Sequence, residues 1–315
     1  MNDLIVRPYQ PGDVRAVTAL TNVIIGHAGG RSGMTIDDTA SFVSGAVRDV
    51  AADSRLVFTP GGDLVAAALV GTPPAGGYRM DTAGGVHPAW RGRGLGRRLL
   101  AWQLDRARQI HRETAPDVDW SVHFDVWQGD VDTPRLFARF GLTAVRSWYT
   151  MAARPWPATT LSPPEGLVVR PYTPDREAEV YAAHMDAFTD HWGFQPRGFD
   201  EWAARTVRAA GFVPGLSLLG YAGTDLAGYL LSYQGDDPEA LYIGHLGVRR
   251  PWRRRGLAAA LLVAVLSAAG AEGRQRVTLT VDADNPSGAV GLYERVGFTV
   301  ESRTITYAAS LPAAT

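Results

Sequence analysis

Trp252-Arg253-Arg254-Arg255-Gly256-Leu257-Ala258 decides how this chain is read. Upstream, Tyr242-Ile243-Gly244-His245-Leu246-Gly247-Val248 reads as a strand, and downstream Leu257 to Ala269 reads as a long apolar helix. The turn between them opens a helix, so it presents unpaired backbone N–H groups and the positive end of the helix dipole to an anion. Gly256 lets the backbone approach a diphosphate with no Cβ in the way. The three arginines add charge without a metal. On one loop alone, a solvated basic turn that caps the helix accounts for the same residues equally well.

The stretch recurs, as Trp90-Arg91-Gly92-Arg93-Gly94-Leu95-Gly96. Leu4-Ile5-Val6-Arg7-Pro8-Tyr9 returns as Leu167-Val168-Val169-Arg170-Pro171-Tyr172, and Phe137-Ala138-Arg139-Phe140-Gly141-Leu142 returns as Tyr293-Glu294-Arg295-Val296-Gly297-Phe298. The three pairs keep their order, at offsets of 163, 162 and 156 residues. A repeat this long is two whole domains. The reading divides the chain into residues 1–153, a proline-rich linker over 154–166, and residues 167–315. The glycines at 92, 94 and 96 superficially resemble a dinucleotide fingerprint. The third comes one residue early, and the loop lies mid-domain and not after a first strand.

Each copy has the same plan. Extended openings (Leu4 to Pro8, Leu167 to Pro171) lead into helical patterns and then strand-like runs, Leu64 to Val70 and Ala227 to Tyr233. In the second copy Val277 to Val281 reads as a buried strand, and Thr299 to Tyr307 as the strand that closes the domain. Alternating strands and helices give an α/β class with a mixed sheet.

Composition narrows the chemistry. Of 315 residues, 46% are hydrophobic and 20% charged, with net charge −1, the balance of a soluble globular protein with no call for nucleic acid or an anionic membrane. No run is long enough to span a bilayer and no signal peptide opens the sequence, so a cytoplasmic protein is expected. Cysteine is absent, which excludes disulfides and a cysteine acyl-enzyme; lysine is absent too, so every formal side-chain cation is arginine and lysine Schiff-base chemistry is impossible. The seven histidines show no metal-ligand spacing, and no metal is expected.

The loop after a Leu-Gly-Val strand, Asp282-Ala283-Asp284-Asn285, and then Gly291-Leu292-Tyr293-Glu294-Arg295-Val296-Gly297-Phe298 together resemble the GCN5-related N-acetyltransferase (GNAT) superfamily. The resemblance covers both copies. It implies two tandem GNAT domains, each a splayed mixed sheet flanked by helices, with acetyl-CoA in the wedge between the fourth and fifth strands. Pantetheine would run along Leu246, Gly247 and Val248, near Asn285, with the pyrophosphate on Arg253, Arg254, Arg255, Gly256, Leu257 and Ala258. In copy one the equivalents are Val86, Arg91, Gly92, Arg93, Gly94 and Gly96.

Direct acetyl transfer needs a free amine, an oxyanion stabiliser and an acid for the departing thiolate. Tyr293 matches the family's tyrosine acid, although a tyrosine there is also a plausible core aromatic. Copy one has Phe137 at that position and no asparagine before the helix, so the second copy is expected to be catalytic and the first degenerate. For the base, His245 lies three residues before Val248 with an ordinary pKa suited to neutral pH, and a histidine satisfied within the strand is the equal alternative. A carboxylate at Glu239, Asp236 or Asp237 stays open. Phe188 to Pro196 falls where the family places the loop over the acceptor. Asp190, His191 and Trp192 on it suit a polar small molecule, while Gly26-His27-Ala28-Gly29-Gly30 in copy one has no aromatic. The expected partner is a small-molecule amine, with no nucleic acid or membrane, in a monomer or homodimer. An acyl-CoA sensor and a protein acetyltransferase are the rival readings.

Overall fold

The computed structural model describes residues 3–156, 163–285 and 288–314. In chain order the elements are β1 (Ile5–Arg7), α1 (Val14–His27), α2 (Ile36–Ala46), β2 (Ser54–Phe58), β3 (Leu64–Val70), β4 (Arg79–Val86), α3 (Leu95–Thr114), β5 (Trp120–Trp127), α4 (Asp132–Arg139) and β6 (Thr143–Ala153). The second half repeats the series: β7 (Leu167–Pro171), α5 (Glu177–Phe188), α6 (Phe199–Arg205), β8 (Leu218–Ala222), β9 (Asp225–Gln234), β10 (Ala240–Val248), α7 (Leu257–Ala271), β11 (Arg276–Asp282), α8 (Ala289–Arg295) and β12 (Thr299–Leu311). Mixed sheets and eight helices among the described residues match the expected fold class.

One of the two compact units is not contiguous in sequence. One comprises Met1–Trp148 with Ser302–Thr315, the other Tyr149–Glu301. The first sheet runs β1-β2-β3-β4-β5 and is completed by β12, which pairs antiparallel with β5 from Thr304↔Trp127 to Leu311↔Trp120. The second runs β7-β8-β9-β10-β11 and is completed by the end of β6. The last strand therefore closes the N-terminal unit, where the sequence reading has it close the C-terminal domain. The two closing strands follow equivalent helices and carry similar patterns, so alternation alone does not choose between the two edges.

The expected linker over 154–166 is partly packed structure. Trp156 lies against the core of the second unit, its carbonyl close beside Gly270 of α7. Residues 157–162 fall outside the described residues.

Each unit has two apolar layers. In the second, one face of the sheet packs on α7, whose Leu261, Leu262, Val265 and Leu266 are fully buried together with Leu230, Leu241, Ile243 and Leu279. The other face packs on α5 and α6 through Val180, Ala183, Trp202, Tyr229 and Leu231. In the first unit α3 and α4 cover Val122, Phe124 and Val126, and α1 and α2 cover Leu56, Ala67 and Leu69.

The splay is present in both copies. β10 and β11 are parallel neighbours only from Ala240↔Arg276 to Ile243↔Leu279, although β10 runs on to Val248 and β11 to Asp282. β4 and β5 pair only from Arg79↔Ser121 to Asp81↔His123. Beyond those points the strands part into a wedge, and the arginine loop lies at its mouth.

Candidate active site

The two loops share one backbone design. Gly94 and Gly256 are the N-caps of α3 and α7 and sit in the left-handed region, at φ 78° and 85°. Two residues earlier Gly92 has φ 74°, and its counterpart Arg254 has φ 63°, the one non-glycine with positive φ among the described residues. Such a conformation costs a non-glycine residue on the order of 1 kcal/mol or more. Alternating left- and right-handed residues turn successive N–H groups toward one concavity, which with the helix N-terminus fits a diphosphate.

The arginines divide their work. Arg255 stacks on Trp252 at 4.9 Å and Arg93 on Trp90 at 4.4 Å. Arg253 reaches back through Nε to the Val248 carbonyl (3.1 Å) and through Nη2 to the Ala187 carbonyl (3.0 Å), so it braces the loop against the strand and the end of α5. Arg91 donates likewise to the Val86 carbonyl (3.4 Å) and to Asp130 (3.0 Å). Arg254 makes no hydrogen bond among the described residues. At position 256 an added Cβ would lie 3.2 Å from Pro164 and demand a left-handed backbone. Gly256→Asp should therefore weaken CoA binding by about a hundredfold or more, through strain and a carboxylate facing the diphosphate. Isothermal titration with CoA checks this, and unchanged affinity would refute the loop assignment.

A bulge aims His245. Leu241 and Ile243 point into the α7 core, as do Leu246 and Val248, so the alternation changes parity between 243 and 246. The register against β9 shifts there, Ile243 facing Ser232 and His245 facing Leu231. One extra residue, Gly244, turns His245 to the α5 side. There its ring meets His184 edge-on (5.2 Å) and Phe188 (6.1 Å), and its Nδ1 lies 3.2 Å from the Tyr233 hydroxyl. Burial, with a lesser push from His191, lowers its pKa to about 4, so the imidazole is neutral at pH 7.

Tyr293 comes from α8, packed with the α7 core and edge-on to Phe298 at 6.0 Å. Burial raises its pKa to about 12, so it stays protonated, and its hydroxyl has no hydrogen-bond partner among the described residues. His245 and Tyr293 thus belong to opposite layers of the splayed sheet. That suits direct attack, in which the amine enters and the thiol leaves on different sides of the carbonyl carbon. Half-buried Asn285 ends the turn after β11, donating its N–H to the Asp282 carbonyl (3.2 Å).

Other expected residues stand elsewhere. Glu239 is exposed and precedes Ala240, at the far end of β10 from Val248; at about 3.3 Å per residue it lies on the order of 20 Å from His245. Asp236 contacts Arg276 (3.6 Å), and Asp237 accepts from the Glu239 N–H. The structure does not bring these carboxylates to the wedge. Asp190 is committed to Arg250 (2.5 and 3.1 Å) and approaches Arg253 (3.7 Å), which ties the loop after α5 to the arginine loop. His191 packs on Phe188 at 5.5 Å, next to His245's ring cluster, and its Nδ1 lies 3.1 Å from the carbonyl of half-buried Trp192.

Sequence reading missed Tyr229, Tyr233 and His184. Tyr229 lies directly opposite Gly247 and hydrogen-bonds His184 Nδ1 at 2.7 Å. The signal was available: Gly244 and Gly247 interrupt an apolar strand, and a Cβ at either would strike the Tyr233 or Tyr229 ring at 2.4 and 2.6 Å.

Copy one lacks the whole set. Ala67 stands opposite Gly85 as Tyr229 stands opposite Gly247, and Ala83 faces Leu69 as His245 faces Leu231. Phe137 replaces Tyr293, packed among Phe124 and Tyr307. Only the loop geometry and the splay are kept.

Residues 178–298 match the Acetyltransferase (GNAT) family profile. The mycothiol acetyltransferase of Thermobispora bispora is 33% identical over 68% of this chain and 70% of its own length, and that of Kineococcus radiotolerans is 34% identical over 71% and 70%. This chain belongs to the GNAT acetyltransferase family. As a GNAT protein it also matches solved structures: a GCN5-related N-acetyltransferase from Sphaerobacter thermophilus (TM-score 0.83, 27% identity, 100% of this chain and 98% of that one). A tandem GNAT protein from the clavulanic acid biosynthesis pathway shares the fold at TM-score 0.75 and 18% identity, covering 99% and 100%. The chain is a tandem GNAT enzyme, an N-acetyltransferase resembling mycothiol acetyltransferases. Among the described residues no group of metal-binding side chains converges, and no helix is long and apolar enough to cross a membrane.

Proposed function

We propose that the second unit of this GNAT enzyme transfers an acetyl group from acetyl-CoA to a primary amine of a small molecule. The loop from Arg253 to Ala258 holds the diphosphate on its N–H groups and on Arg254, and the edge of β10 from Leu246 to Val248 guides pantetheine into the wedge. Neutral His245 takes the proton that the amine nitrogen sheds as it attacks the thioester carbon. Tyr293 gives its proton to the departing CoA sulfur. The C–N bond forms as the C–S bond breaks, and no acyl-enzyme intervenes. The observation that carries this reading is internal: copy one keeps the loop but has Ala83 and Phe137 in place of His245 and Tyr293. We further assign copy one a non-catalytic role. Acceptors of the kind denoted by the relatives' name, small mycothiol-type amines, are the first to try, and the Phe188–Phe194 ring cluster favours a small pocket over a protein surface.

The test is thiol release from acetyl-CoA across a panel of small amines, run on the native chain and on Tyr293→Phe. Amine-dependent release is expected. In the variant, turnover falls about tenfold to a thousandfold, as loss of a general acid predicts, while CoA affinity holds within a factor of two. No release with any amine, alongside tight CoA binding, would favour the sensor reading. Unchanged turnover in the variant would remove Tyr293 from the mechanism.

A further inference from the structure

Two tyrosines of β9 reach histidines of the second unit through gaps left by glycines of β10. Tyr229 and Tyr233 are four residues apart on a strand, hence on one face, the face covered by α5. Each ring lies where a side chain at Gly247 or Gly244 would otherwise stand. Each hydroxyl meets an imidazole Nδ1, Tyr229 at His184 (2.7 Å) and Tyr233 at His245 (3.2 Å). Tyr229 and His184 are buried, at 0% and 7% exposure, and the two histidines pack edge-on at 5.2 Å. The His245 side chain makes no other hydrogen bond among the described residues, which leaves Nε2 without a partner there. In copy one the tyrosines correspond to Ala67 and Gly71, and His245 to Ala83, so the tyrosines are absent where the strand histidine is absent too.

We infer that Tyr233 is a positioning residue for the acetyl transfer: its hydroxyl oxygen accepts from His245 Nδ1–H and thereby keeps the lone pair on Nε2, the nitrogen that receives the amine proton. The inference rests on the base role of His245 proposed above. A neutral imidazole has one proton and two places for it, and only the Nδ1–H tautomer leaves Nε2 basic. The tyrosine suits this task because burial raises its pKa, so it stays a neutral hydroxyl and does not become a phenolate that would draw a second proton onto the ring. The Tyr229–His184 pair backs the His245 ring and limits its rotation. The titratable groups facing His245 are Tyr233 from β9, His184 from α5 and His191 from the turn after α5.

The experiment pairs Tyr233→Phe with His245→Gln and reads the tautomer of His245 by ¹⁵N NMR on the native full chain and on Tyr233→Phe. Phenylalanine keeps the ring over Gly244 and removes only the oxygen. Expected are an Nδ1–H signal in the native protein, kcat lowered about tenfold in Tyr233→Phe, the equivalent of one lost hydrogen bond, and acceptor KM and CoA affinity within a factor of two. A role in packing alone would change the melting temperature and leave the tautomer untouched. If His245→Gln loses turnover while Tyr233→Phe keeps it, or if the native ring is Nε2–H, the inference is overturned. If His245→Gln keeps turnover, the base assignment itself falls, and the inference with it.

Discussion

A chain ended at Glu301 should fail to hold its N-terminal unit together, although every deleted residue lies at the opposite end of the sequence. The loss removes Ser302–Thr315 from that unit and with it eight paired residues along β5. Leu311, 3% exposed, leaves a core shared with Trp120, Val122, Phe124 and Phe137, and Tyr307 leaves the edge of Phe137. Thr306 also gives up its hydrogen bonds with Asp125 and Trp148. Uncovering several large apolar side chains at about 2 kcal/mol each approaches the 5–15 kcal/mol that holds a typical domain. A long bare edge on β5 then invites aggregation. Limited proteolysis and a thermal melt check the outcome: early cleavage within residues 1–148 and loss of a cooperative transition are expected. A soluble truncated chain with an unchanged melt would show that β12 is dispensable.

For His245→Gln the expected loss is in turnover, about a hundredfold to ten-thousandfold, since the base disappears while its neighbours keep their places. The pH dependence carries a second signature. Above a pKa of about 4 the native imidazole is neutral and able to accept a proton, so no histidine limb should appear in kcat/KM between pH 6 and 8. The acidic limb due to His245 belongs near pH 4 and vanishes in the variant. Stability moves the opposite way. A histidine whose folded pKa lies below the unfolded value of 6.5 binds its proton more readily when unfolded, so it destabilises the fold as pH drops from about 6.5 toward 4. His184, lowered to about 3 by burial and by His245, does the same. Replacing His245 should therefore yield an enzyme that is slower and yet more acid-resistant. A variant that loses both activity and acid stability would indicate structural damage.

The loops, the strands and the repeat are legible because they rest on local rules. A glycine at a left-handed helix cap, alternating β-branched residues and an apolar helix each declare themselves within a dozen residues. The element bounds follow closely: Leu64 to Val70 is a strand as read, and the helix from Leu257 extends to Ala271 where Ala269 was expected. Two features escape such rules. Alternation carried through Tyr242 to Val248 assigns His245 to the α7 face, and nothing in the strand's own composition announces that Gly244 is an extra residue. Nor can periodicity decide which sheet edge a strand joins when two copies offer the same edge, so the sequence reading groups residues 302–311 with the second copy while their contacts are with the first unit. Asp190 shows a third limit: its partners, Arg250 and Arg253, lie some sixty residues away and on another element.

The crossing of the last strand also sets the order in which the molecule can be finished during synthesis. Domains commonly fold in the order they leave the ribosome, the N-terminal one first. Here the N-terminal unit has its helices and five of its strands early but waits for Thr304–Leu311, which are made only after the whole of the second unit. The second unit draws its missing strand from Tyr149–Ala153, already long since made. The half of the chain that is born second is thus the first that can be complete, and the firstborn half keeps an open β5 edge until the second has been made.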